Sequence, residues 1–199
     1  MPIYHTAAAL VEVLEWDDGP ELFGLLHAAA TGSQSLPSRA TLLLRPGRRV
    51  IAPALDRYGA TATREGSDRV QAHVDVLRAC SEIPPAERRV LFGHSMGGLI
   101  GLLGAIGDPV FDAMVLYEPI VTAWLRTDLP ADVALWDWDR MIAAEVVRGA
   151  STGDPAGGIA AFVTAWNEVR WSDLPSAVRT PPDCLRRTTF GRSARGIVS

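Results

Sequence analysis

The sequence predicts an α/β protein, a mostly parallel sheet with flanking helices, followed by a helical segment. Three observations lead there. Short apolar runs recur at 21–28, 48–55, 88–94 and 112–119, as in strands buried on both faces. Segments with helical spacing, or closed by Gly and Pro, lie between them. After Pro119 strand signals fade, and five of the six tryptophans (Trp124, Trp136, Trp138, Trp166 and Trp171) lie beyond that point.

In chain order, "ALVEVLEW" (9–16) alternates apolar and acidic residues and reads as a strand. Asp17-Asp18-Gly19-Pro20 is strong turn chemistry, so a hairpin to the run "ELFGLLHA" (21–28) is expected. A short helix over about 36–46 closes at Pro46-Gly47, and "RRVIAPAL" (48–55) is the next strand. Ser67 is placed to cap a helix to about Ala79, with Val70, Val74 and Leu77 on one face. Pro84-Pro85 breaks the chain before the strand "RRVLFGH" (88–94). A helix over 96–106, ended by Gly107-Asp108-Pro109, leads to a buried strand "DAMVLYEP" (112–119). Strand, helix, strand in this order implies right-handed parallel crossovers. Three regions are expected: a core over 1–120, a helical region over 121–178 and a poorly packed tail over 179–199. In the second, Ile159, Phe162, Val163 and Trp166 form a helical stripe, which fits a subdomain packing its own core or a cap over a site.

Bulk composition excludes several function classes. Apolar residues make up 48 %, charged residues 21 %, and the net charge is −4. That balance gives no electrostatic case for nucleic acid or an anionic membrane. Every basic side chain is arginine, a compositional bias rather than an anion-binding signal. Cys80 and Cys184 match no metal spacing and no C-x-x-C pattern, so reduced thiols in a cytoplasmic protein are expected, with no metal. No apolar run is long enough to span a bilayer, and the N-terminus lacks signal-peptide character.

The chemistry concentrates at Gly93-His94-Ser95-Met96-Gly97, a G-x-S-x-G pattern between an apolar strand and a glycine-rich helix. The chain there must turn from strand to helix within a few residues, and a Cβ at 93 or 97 would meet the neighbouring strand or helix. Ser95 then stands at the crest of the turn as a nucleophile. The first N–H groups of the following helix are unpaired, so the Met96 amide is one oxyanion donor. A second is expected from the loop in "LLHAAATG" (25–32), at the Ala29 amide.

These residues resemble the α/β-hydrolase superfamily, in its bacterial form with a helical cap. "LLHAAATG", "RRVIAPALDRYG", "GHSMGG" and "AMVLYEPIV" match its oxyanion loop, next strand and loop, nucleophile elbow, and strand leading to the cap, and "FVTAWNEVRWSDLP" resembles a cap helix. The resemblance covers about residues 8–178 and implies a serine hydrolase acting on an ester, amide or related acyl bond of a small molecule, without a cofactor. It gives Glu118, at the end of a strand, as a possible acid. His27, Trp124 and Trp166 are expected to contact the substrate.

Two departures matter. Ala28 stands where the family usually has glycine. The family places its acid and histidine after the cap, yet all four histidines, His5, His27, His73 and His94, precede Ser95. The C-terminal strands of the sheet are therefore expected to be missing, with an open sheet edge and impaired turnover. His27 is the nearest stand-in for the base; His94 is expected to point away from Ser95. Asp137 and Asp139 are further acids without a histidine to orient. The alternatives are a non-catalytic protein that keeps the pocket and binds a small molecule, or a fragment without function of its own.

Overall fold

The computed structural model describes residues 2–6, 9–63, 68–82, 85–167, 169–174, 176 and 179. It divides into two units, Met1–Ile120 and Val121–Ser199.

The first unit is built on a seven-stranded sheet. Its strands are β1 (Ile3–His5), β2 (Ala9–Trp16), β3 (Glu21–Leu26), β4 (Arg48–Pro53), β5 (Ala62–Thr63), β6 (Arg88–His94) and β7 (Ala113–Tyr117). The order is β1-β2-β4-β3-β6-β7, with β5 also on β2. The pairs β4/β3, β3/β6 and β6/β7 are parallel, and the pairs made by β2 are antiparallel. The helices are α1 (Pro37–Leu43), α2 (Arg69–Glu82) and α3 (Met96–Gly104).

The expected hairpin between β2 and β3 is not formed, because β4 lies between them. The turn at 17–20 reverses the chain, with Asp17 at φ 63° and Gly19 against the Gly47 backbone. Its chemistry fixes a reversal but not a neighbour. β3 is buried on both faces and takes the sheet centre, while β4 returns parallel to it through α1. The short β1 and β5 were not expected, and β1 holds His5 in the ladder against Leu10.

Alternation along the strands separates two cores. Leu22, Leu26, Ile51 and Leu91 face Val76, Leu77 and Ile100 on one side. Phe23, Leu25, Val50, Ala52 and Val90 face Leu36 and Ala40 on the other. The α2 boundary differs from expectation. Ser67 lies outside the described residues, and Asp68 Oδ1 accepts the Val70 and Gln71 amides instead. Val70, in the first turn, is 43 % exposed, while Val76, Ala79 and Cys80 are buried because α2 packs on both β2 and α3. Strand β7 is not the fully buried strand expected. Its one ladder neighbour among the described residues is β6, and Val115 and Tyr117 are 51 % and 63 % exposed.

The second unit holds α4 (Pro130–Ser151) and α5 (Pro155–Asn167), packed on each other. Asp154 caps α5 through the Gly157 amide. A Cβ on Gly149 would stand 2.9 Å from the Gly158 Cα, so the two helices meet backbone to backbone. Ile159 of the expected stripe is buried, while Trp166 ends the helix with its ring partly exposed. Apart from Arg179, residues 179–199 lie outside the described residues, as does Cys184. No described helix is long and apolar enough to cross a membrane.

Candidate active site

Ser95 joins β6 to α3 with φ 55° and ψ −116°. A positive φ costs a non-glycine residue about 1–3 kcal/mol and persists where the surroundings dictate it. Three backbone bonds do so. The Ser95 N–H donates to the Tyr117 carbonyl at 3.0 Å, and its carbonyl accepts from Leu99 at 3.1 Å and Ile120 at 3.3 Å. The flanking glycines follow from the same bend. A Cβ on Gly93 would stand 2.6 Å from the Gly97 carbonyl oxygen, and one on Gly97 2.6 Å from the Leu26 carbonyl oxygen. The residue is half-buried, and its hydroxyl bonds no described residue. The Met96 amide, at the first turn of α3, is likewise unengaged among the described residues.

The sheet register brings a second loop to this point. Leu26 pairs with Gly93, so the chain leaving β3 at His27 emerges beside the elbow. Loop residues 28–31 form a turn with Ala30 at φ 63°. The Ala30 N–H donates to the Tyr58 hydroxyl at 3.0 Å, while the Ala29 N–H bonds no described residue. Glu118 leaves β7 one residue past Tyr117, at φ 47° and exposed. Ser95, the 27–31 loop and Glu118 therefore share the C-terminal end of three parallel strands, where open α/β sheets place their ligands.

A sequence model of the Alpha/beta hydrolase family matches residues 25–196. The chain belongs to that family. Comparison with curated protein sequences finds no match. Among solved structures, an esterase (EaEST) from Exiguobacterium antarcticum superposes with TM-score 0.63 at 14 % identity, over 89 % of this chain and 66 % of that one. The bottromycin epimerase BotH, solved with bottromycin A2, gives TM-score 0.64 at 17 % identity, over 93 % and 70 %. Epoxide hydrolase A from Mycobacterium thermoresistibile gives 0.51 at 21 % identity, over 58 % and 37 %. At such identities the likeness concerns the fold alone. The chain spans just under two thirds of the length of the esterase and little more than a third of that of the epoxide hydrolase.

The histidines of this α/β hydrolase are placed against the expected roles. His27, expected to contact the substrate, is fully buried, at 0 % exposure. Its Nδ1–H donates to the Ala28 carbonyl at 2.9 Å, and its Nε2 accepts from the Leu55 amide at 3.2 Å. With both nitrogens engaged it has no lone pair for the Ser95 proton. Burial pushes its pKa down to about 4, against the opposing pull of the Ala28 carbonyl. His73 accepts the Asp56 amide through Nδ1 at 3.1 Å, and burial lowers its pKa, opposed by the Asp56 charge. His94 is half-exposed, with Nε2 3.8 Å from a Glu118 carboxylate oxygen and its ring 5.2 Å from Tyr117. A pair this exposed is worth at most about 1 kcal/mol.

In the second unit, Trp166 packs edge-on against Trp138 at 4.9 Å and near Phe162, an aromatic cluster internal to α4 and α5. Trp124, in a short 3₁₀ turn, is 74 % exposed. Asp139 has its pKa raised by burial. Among the described residues no group of His, Cys, Asp or Glu is arranged to hold a metal ion. Cys80 is a buried thiol pushed up to about 12, unsuited to nucleophilic work. The contact missed in the sequence reading is Tyr58 on Ala30, between residues 28 positions apart.

Proposed function

We propose that this chain is a serine hydrolase of acyl bonds, with Ser95 as nucleophile and the Met96 and Ala29 amides as oxyanion donors. The Ser95 conformation carries the reading: φ 55° and ψ −116° at a strand-to-helix bend held from three sides. Attack by Oγ on an ester, amide or thioester carbonyl of a small molecule would place negative charge on the carbonyl oxygen. Two unengaged amides at the same sheet end, one at a helix start, supply what such charge needs. Glu118 is proposed as the acid. The reaction so written involves no cofactor.

We further propose that turnover by these 199 residues is slow. A positioned base contributes 10² to 10⁴-fold, about 3–5 kcal/mol. No histidine bonds Ser95 among the described residues, and His27 and His73 are engaged elsewhere. An oxyanion hole and binding alone leave a residual of about 10³ over water. A fluorophosphonate probe tests this. Wild type is expected to take up one equivalent slowly, and Ser95→Ala none. Equal labelling of the two proteins removes Ser95 from the chemistry, and labelling as fast as in an efficient esterase removes the impairment.

The Ser95 hydroxyl, which bonds no described residue, also favours a second reading, a small-molecule-binding protein without chemistry. An ester analogue that raises the melting temperature equally in wild type and Ser95→Ala, with no label taken up, would select it.

A further inference from the structure

We infer that Tyr58 is the positioning residue of the oxyanion loop, its hydroxyl holding Ala30 left-handed so that the Ala29 amide stays turned to the site. The inference rests on the proposed role of Ala29. An alanine at φ 63° pays about 1–2 kcal/mol relative to its right-handed conformation. Left alone, the 28–31 turn would relax and carry the neighbouring peptides with it. One side of the turn is tied at the Ala28 carbonyl, which accepts both the His27 Nδ1–H at 2.9 Å and the Thr31 hydroxyl at 2.9 Å. The other side is tied at the Ala30 N–H, whose acceptor is the Tyr58 oxygen at 3.0 Å. Between the two ties the Ala29 amide is the donor left without a partner among the described residues.

A tie is only as firm as its support, and the 54–61 loop carrying Tyr58 is held from three places outside it. The Ala54 amide donates to the Glu12 carbonyl of β2 at 2.8 Å, and the Ala60 amide to the buried Glu12 carboxylate at 2.9 Å. The consecutive Leu55 and Asp56 amides donate to His27, after β3, and to His73 of α2. The Tyr58 N–H closes on Leu55 within the loop, at the end of β4. The Tyr58 ring meets the His27 ring edge-on at 4.4 Å, so the aromatic body is fixed as well as the hydroxyl. The phenol therefore reaches the oxyanion loop from a loop that is itself tied to β2, His27 and α2.

The experiment compares wild type, Tyr58→Phe and Tyr58→Phe/Ala30→Gly. Tyr58→Phe keeps the ring and removes the tie, and glycine at 30 accepts φ 63° without strain. Three readouts are taken: hydrogen exchange of the Ala30 amide, the rate of Ser95 labelling by a fluorophosphonate, and the melting temperature. The expectation for Tyr58→Phe is Ala30 exchange about fivefold faster and labelling about tenfold slower or more, with little change in melting temperature. Ala30→Gly is expected to restore most of the labelling rate. A wild-type labelling rate in Tyr58→Phe overturns the inference, as does slowed labelling that glycine fails to restore, which marks a packing role. Should wild-type Ser95 take no label, the hydrolase reading falls. Exchange then decides separately: a fivefold rise supports the tie, and unchanged protection overturns it.

Discussion

A histidine closed off from water and holding a backbone amide on its Nε2 must stay neutral, and this makes His27 a source of pH-dependent stability. Its pKa is about 4 in the folded chain against 6.5 when exposed. Between those values the unfolded chain binds the extra proton and the folded chain does not. The contribution is full above pH 6.5, fades as the pH falls, and is gone below about pH 4. Its size is about 3 kcal/mol at one pK unit per 1.36 kcal/mol. His73, also lowered, acts in the same direction. His27→Gln should be less stable than wild type at about pH 7.5, with the gap closing towards about pH 4. Urea midpoints at the two pH values measure this, and a gap that stays constant would show that His27 does not titrate as a buried neutral group.

At the scale of elements, the glycines around α3 differ in what a methyl group would strike. A Cβ on Gly97 meets the Leu26 backbone and Cβ at 2.6–2.7 Å, in the centre of the sheet. Neither partner can move, so Gly97→Ala should cost about 1–3 kcal/mol or more and weaken labelling of Ser95. A Cβ on Gly104 meets a Leu77 methyl at 2.7 Å, the end of a side chain that can rotate. The gain in helix propensity, about 1 kcal/mol, offsets that strain, so Gly104→Ala should be near neutral in denaturant melts. Equal destabilisation by the two would mean that strand–helix contact is not what fixes the elbow. A Cβ on Gly93 meets Gly97 and Gly98, its neighbours in sequence, so the elbow could be read from the glycine spacing, although the Leu26 contact of Gly97 could not. The strand order could not: the turn at 17–20 carries the same chemistry whether β3 or β4 lies beside β2. Nor could β1 and β5, since three and two residues carry no periodicity. His27 was legible as a loop residue, but its burial depends on Leu55 and Tyr58. Tyr58 itself, meeting Ala30 from the end of another strand, leaves no local pattern to find.

At the scale of the whole chain, the cores of the first unit draw on no late residue among those described. The buried residues of both clusters, and the hydrophobics packed against them, all precede residue 115. The bonds that hold Ser95 come from Tyr117, Leu99 and Ile120, inside the same unit. The sheet, the elbow and the oxyanion loop should therefore form without the helical unit. A polypeptide of residues 1–120 is expected to unfold cooperatively in urea and to take fluorophosphonate at Ser95 within about threefold of the full-chain rate, since the donors at Met96 and Ala29 are intact. The exposed Val115 and Tyr117 on β7, whose outer edge has no ladder neighbour among the described residues, call for dilute samples. Label uptake with a cooperative transition would place the whole nucleophile machinery in the first unit. A polypeptide that stays unfolded would show that residues 121–199 contribute to the sheet's stability. One that folds but labels far more slowly would show that they shape the site.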